Sequence, residues 1–121
     1  MNLRIAPEHI RFRITEEEFN TLTTHGVLTH STTLSGTGRL DYIIRIHPDA
    51  ANSDGQTLEL TSHLRSDAVV LEISLFANGL KQLQSGIGSK EGIQAHLAFD
   101  TSAILTIGLE IDLHSKQRAH A

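Results

Sequence analysis

The sequence predicts an α+β fold of about eight mostly antiparallel strands and two short helices. Three observations predict it. First, Ala103 to His114 alternates without a break: Leu105, Ile107, Leu109 and Ile111 share one face, and Thr106, Gly108, Glu110, Asp112 and His114 the other. Strand side chains point alternately to the two sides of a sheet, so this is a long strand with one buried face. Second, Thr15-Glu16-Glu17-Glu18 fits a capping box ahead of Phe19 and Leu22, and His25-Gly26 follows as a stop. Third, the order strand-strand-helix-strand-strand reads twice. A shift of 61 positions lays Ile10, Phe12, Ile14, Phe19 and Leu22 on Leu71, Ile73, Leu75, Leu80 and Leu83.

In order, Leu3 and Ile5 flank Arg4 in a short strand, and Pro7 marks a turn. Ile10, Phe12 and Ile14 alternate with His9, Arg11 and Arg13 in a second strand. After the first helix, Val27–Leu34 is β-branched and strand-like, and Ser35-Gly36-Thr37-Gly38 is a hairpin turn. Arg39–His47 alternates again. The polar segment from Pro48 to Gln56 reads as a surface connector. Leu58–Leu60 opens a strand that runs toward Leu64, and Val69–Leu75 forms another. A short helix spans about Phe76–Gln84 with Gly86 at its end. Glu91–Phe99, a turn at Asp100-Thr101-Ser102, and Ala103–Leu113 complete the chain, with a frayed tail at 115–121. The expectation is one domain over 1–121, built from a repeated unit (1–48 and 57–114) whose strands close into a barrel-like sheet.

Composition excludes several functions. A net charge of −4 over 121 residues does not suit a broad phosphate-binding surface, and five aromatic rings are too few for a base-stacking platform. No nucleic-acid partner is expected. The chain has no cysteine, which removes disulfides, thiolate metal sites and a thiol nucleophile. No stretch reaches 18 apolar residues and the first residues carry charge, so the reading is a cytoplasmic protein with no membrane partner.

The opening L-R-I-A-P-E-H-I-R-F-R-I-T-E-E-E-F and the closing L-T-I-G-L-E-I-D-L-H resemble an uncharacterised family of small bacterial proteins. Its members open with a K-I-R-I-x-x-x-S-I-R-L-R-L-type strand, continue with a Glu-bearing helix and Gly, and close with an L-x-I-L-I-E-K-D-type strand. Glu110 and Asp112 stand where that family has its Glu and Asp, and Ile111 where a Lys is common. The resemblance implies the fold and extent given above, and no activity.

Two side-chain groups are candidate sites. His9, Arg11 and Arg13 share a strand face, with Arg4, Arg39 and Arg45 on nearby strands. Alternate positions lie about 7 Å apart, so Arg4, Arg11, Arg13 and Arg45 have the spacing of an anion-binding face. The plainer reading pairs these arginines across strands with Glu72, Glu110 and Asp112. Glu110, Asp112 and His114 are weak candidates for a metal site. Their ligand types suit a divalent ion, but positions i, i+2 and i+4 of one strand are nearly collinear and cannot surround it alone. Neither Gly-rich segment fits a phosphate loop, and no serine sits in a nucleophile elbow. No catalytic residue and no cofactor is assigned.

The expected function is that of a small non-enzymatic binding or structural protein acting by association, most simply as a homodimer. Ile43, Val70 and Ile104 on otherwise polar faces need cover from a helix or a second chain. The alternative is a barrel, binding protein or enzyme, that handles a phosphorylated small molecule through its Arg face.

Overall fold

The computed structural model describes residues 1–36, 38–47, 56–85, 92–98 and 104–112. Eight strands and two helices follow the order β1 (Asn2–Ala6), β2 (His9–Thr15), α1 (Glu16–His25), β3 (Val27–Ser35), β4 (Gly38–His47), β5 (Leu58–Leu64), β6 (Ala68–Phe76), α2 (Ala77–Ser85), β7 (Ile93–Ala98) and β8 (Ile104–Asp112). The expected helix end at Gly86, the turn at 100–102, the strand ends at Glu91, Phe99, Ala103 and Leu113, and the tail lie outside the described residues. Among the described residues no helix is long and apolar enough to cross a membrane.

The strands do not close into a barrel. They form two four-stranded sheets, in the orders β1-β2-β8-β7 and β3-β4-β6-β5. Each sheet is two antiparallel hairpins joined by a parallel pair, β2 with β8 and β4 with β6. The chain therefore keeps a mostly antiparallel character, yet the centre of each sheet is parallel. Closure would need the outer strands to pair with one another; instead both sheets bury residues in one shared cluster, and among the described residues β1, β7, β3 and β5 remain edges.

The two sheets mirror one another in order. Hairpin β1-β2 takes in the first sheet the place that β5-β6 takes in the second, and β7-β8 corresponds in the same way to β3-β4. Phe12 on β2 pairs with Leu109 on β8, and Ile73 on β6 pairs with Ile44 on β4; all four are fully buried. One hydrophobic cluster joins Phe12, Ile14, Ile107 and Leu109 of the first sheet with Ile44, Leu58, Ile73 and Leu75 of the second. Phe19 and Leu22 of α1 and Leu83 of α2 belong to the same cluster. Helix α1 packs on β2, β3, β4 and β8, and α2 on β4, β6 and β7.

Local chemistry sets both helix positions. Thr15 Oγ1 accepts from the Glu18 N–H while Glu18 Oε1 accepts from the Thr15 N–H, so the capping box is complete. Gly26 ends α1 in the left-handed conformation (φ 81°), and its N–H donates to the Leu22 carbonyl. Gly79 in α2 has a different role. A Cβ there would stand 2.5 Å from the Thr57 carbonyl oxygen, so the helix backbone lies directly against the chain entering β5.

Of the three apolar residues on polar faces, Val70 is only 2% exposed, beside Asp41 and His63 on the neighbouring strands. Its cover comes from its own chain. Ile43 is half-buried, and Ile104 is 55% exposed.

Ile107 and Leu109 are fully buried at the centre of the parallel pair. Ile107→Ala should destabilise by about 2–5 kcal/mol in chemical denaturation. Leu105→Ala on the same face should cost less, because Leu105 is only half-buried. A loss under about 0.5 kcal/mol at Ile107 would mean that this face does not line the core.

Candidate functional site

The outward face of the first sheet carries most of the charged residues singled out from the sequence. Alternation brings Arg4, Arg11, Arg13, Glu110 and Asp112 to one side, opposite the buried Phe12, Ile14, Ile107 and Leu109. Register then decides who meets whom. Arg4 stands directly opposite Arg11, and Arg11 opposite Gly108. Gly108 leaves the surface low, and the Arg11 side chain lies over it: a Cβ at Gly108 would be 3.5 Å from Arg11 Nε. Crossing that gap, Arg11 Nη1 reaches Glu110 Oε1 at 3.8 Å. Arg13 Nη2 lies 3.3 Å from Asp112 Oδ1. The Arg13 Nε is buried without a hydrogen-bond partner among the described residues.

Arg45 is not part of this group. It lies on β4 in the other sheet, where its Nε is 3.6 Å from Glu72 Oε2. The four arginines therefore divide between two sheets. Three of them pair with the acids that the plainer sequence reading named, and among the described residues Arg4 makes no ion pair. His114 lies outside the described residues, so only Glu110 and Asp112 of the weak metal candidates are placed, each beside an arginine. No group of three or more His, Asp or Glu able to hold an ion occurs among the described residues.

Two polar clusters escaped the sequence reading. In the first, Asp41 on β4 accepts from Arg39 Nε at 2.7 Å, from Arg39 Nη2 at 3.1 Å and from Ser31 Oγ on β3 at 2.6 Å. The Arg39 hydrogen bond and then that of Ser31 hold the Asp41 carboxyl below its ordinary range, and the hydrogen bond and charge of Asp41 raise the Arg39 guanidinium. Arg39 also approaches Asp67 at 3.7 Å. Register alone could have found the Ser31–Asp41 contact, since the two are opposite on the hairpin.

The second cluster centres on Glu18. Its Oε2 accepts from the Met1 ammonium at 2.6 Å and lies 3.1 Å from His30 Nε2 on β3, while Oε1 holds the Thr15 N–H. One carboxylate thus ties the start of β1, the first turn of α1 and β3. Burial pushes its pKa up, but the ammonium hydrogen bond, the Thr15 N–H and the ammonium and His30 charges outweigh that and hold it low. Close by, Glu16, Phe19 and Asn20 of α1 and Ile111 of β8 line a surface depression.

Two outcomes follow. Arg11→Ala with Arg13→Ala should lower stability by about 1 kcal/mol or more in total, because both pairs are half-buried and such pairs cost more to break than exposed ones. Phosphate or nucleotide should leave the melting temperature of the native protein unchanged; a ligand-dependent rise that the double variant abolishes would establish an anion site. For Glu18 the folded pKa is depressed, so its stabilisation is full above the ordinary value of 4.5 and is lost as pH falls through the folded value. Glu18→Gln should cost about 1–3 kcal/mol at pH 7, and the difference from wild type should shrink in denaturation series taken below pH 4.5.

Residues 1–119 match the family described as "Family of unknown function (DUF7009)". No curated protein and no solved structure matches the chain. The expectation of an uncharacterised family, read from the opening and closing strands, agrees with that finding. With its pattern covered from the first strand to the last, the chain belongs to the DUF7009 family.

Proposed function

We propose that this protein is a small non-enzymatic binding or structural protein that works by association, most simply as a homodimer. The observation that carries the reading is the apolar end of the second sheet. Leu40, Val69 and Leu64 follow one another across β4, β6 and β5 on the side that faces the core elsewhere. Leu64 is 85% exposed there, Val69 is partly exposed, and Leu34 near the end of β3 is 60% exposed. Large apolar side chains gathered at one end of a sheet favour removal from water by a partner. Open sheet edges support the same reading, because unpaired backbone groups accept a further strand.

The charged residues support it indirectly. Arg11, Arg13, Arg39 and Arg45 are each paired with a carboxylate, which leaves them balanced within the chain.

Sedimentation velocity across micromolar concentrations tests the reading. The expected species has twice the chain mass and dissociates on dilution. Sedimentation as a monomer throughout would overturn it. Leu64→Ser should leave the fold intact, because its side chain is almost wholly exposed.

A further inference from the structure

We propose that two copies of the chain pair along β3, antiparallel about a twofold axis at Ser31, so that their second sheets join into one of eight strands. This rests on the association reading above, through its open sheet edges and the exposed Leu34 of β3, and names the surface and the partner; Leu64, on the opposite edge of the sheet, stays outside the seam.

The four edges are not alike. Natural sheets protect edges with charge, proline or short length. β1 carries Arg4 and is followed by Pro7, and β5 carries Glu59. β7 is uncharged but has only six residues among those described. β3 runs for nine residues, V-L-T-H-S-T-T-L-S, with no Lys, Arg, Asp, Glu or Pro. Its only irregularity is the register shift between Thr33 and Ser35, at its far end. Thr29 and Ser31 to Leu34 are exposed.

The sequence of β3 itself selects a second copy as the occupant, and its lack of charge permits one. With a net charge of −4, two copies repel on average, and they meet at least cost along an uncharged seam. A twofold seam also requires a strand that matches itself in reverse. Centred on Ser31, β3 does so. Ser31 faces Ser31, Thr29 faces Thr33, His30 faces Thr32, and Leu34 falls beside Leu28 of the other copy. Thr–Thr and Ser–Ser neighbours across strands are favourable, and no like charges oppose. Moving the centre to His30 or Thr32 sets Leu28 against Thr32 or Leu34 against His30. Of these centres only Ser31 sets serine against serine, threonine against threonine and leucine against leucine, with His30–Thr32 and Val27–Ser35 as the unlike pairs.

The test is charge exchange at the seam. Thr29→Lys/Thr33→Lys puts ammonium groups opposite one another twice and should weaken dimerisation about 10-fold or more in sedimentation. Thr29→Glu/Thr33→Glu should do the same. An equimolar mixture of the two variants should restore the dimer, because every opposed pair then has opposite sign. Gln94→Lys on β7 should change nothing. Hydrogen exchange on the unaltered protein gives a second readout that needs no substitution: β3 amides should gain protection as concentration rises, and β7 amides should not. A wild-type dimer that survives the Lys substitutions, or variants that fail to recombine, would overturn the β3 seam while leaving association intact. A wild-type protein that stays monomeric overturns both.

Discussion

Everything in this fold depends on two parallel strand pairs, β2 with β8 and β4 with β6. Each pair takes one strand from the first ββαββ unit and one from the second. Neither unit can complete a sheet alone, because the inner strand of each hairpin would be paired on one side only. The buried residues make the same point. Phe12 and Ile14 need Leu109 and Ile107, and Ile44 needs Ile73. Pairs so distant in sequence carry a large loop-closure entropy before any contact offsets it, so folding should be slow for the chain's size.

The mirrored sheets differ where the chain must enter them. The offset of 61 sets Glu18 of α1 against Gly79 of α2. In the first unit the Met1 ammonium sits beside the helix and Glu18 grips it. In the second, the chain at Thr57 passes the helix so closely that even a Cβ would collide. The same place in the packing thus holds a long carboxylate in one case and no side chain in the other. What approaches the helix decides which: a cation needs a partner, whereas a continuous backbone needs room.

Much of the fold was legible because its signals are local. Alternation in β8 gives the buried face at Ile107 and Leu109, and Thr15 with Glu18 gives the start of α1. The sheet arrangement was not legible. Alternation says which side a residue faces but not which strand lies next to it, so eight strands read as a barrel instead of two open sheets. That the arginines meet Glu72, Glu110 and Asp112 is legible from the polar strand faces, but which arginine meets which acid depends on the register. The Glu18 cluster was missed because the capping role already accounted for that residue. Its second oxygen meets Met1 and His30 only after β1, α1 and β3 have packed.

The ion pairs that span the parallel strands have a consistent polarity. Arg11 and Arg13 come from the first unit, and Glu110 and Asp112 from the second. In the other sheet Arg45 comes again from the first unit and Glu72 from the second. Two first units brought together would set Arg11 against Arg45, and two second units Glu72 against Glu110. The units are therefore keyed to unlike partners, and a mispaired assembly of identical halves meets repulsion at the centre of both sheets. The key does not say which molecule supplies the unlike half. Exchange of whole units between two chains would keep every one of these pairs, so domain swapping is the one misassembly that this charge pattern leaves open.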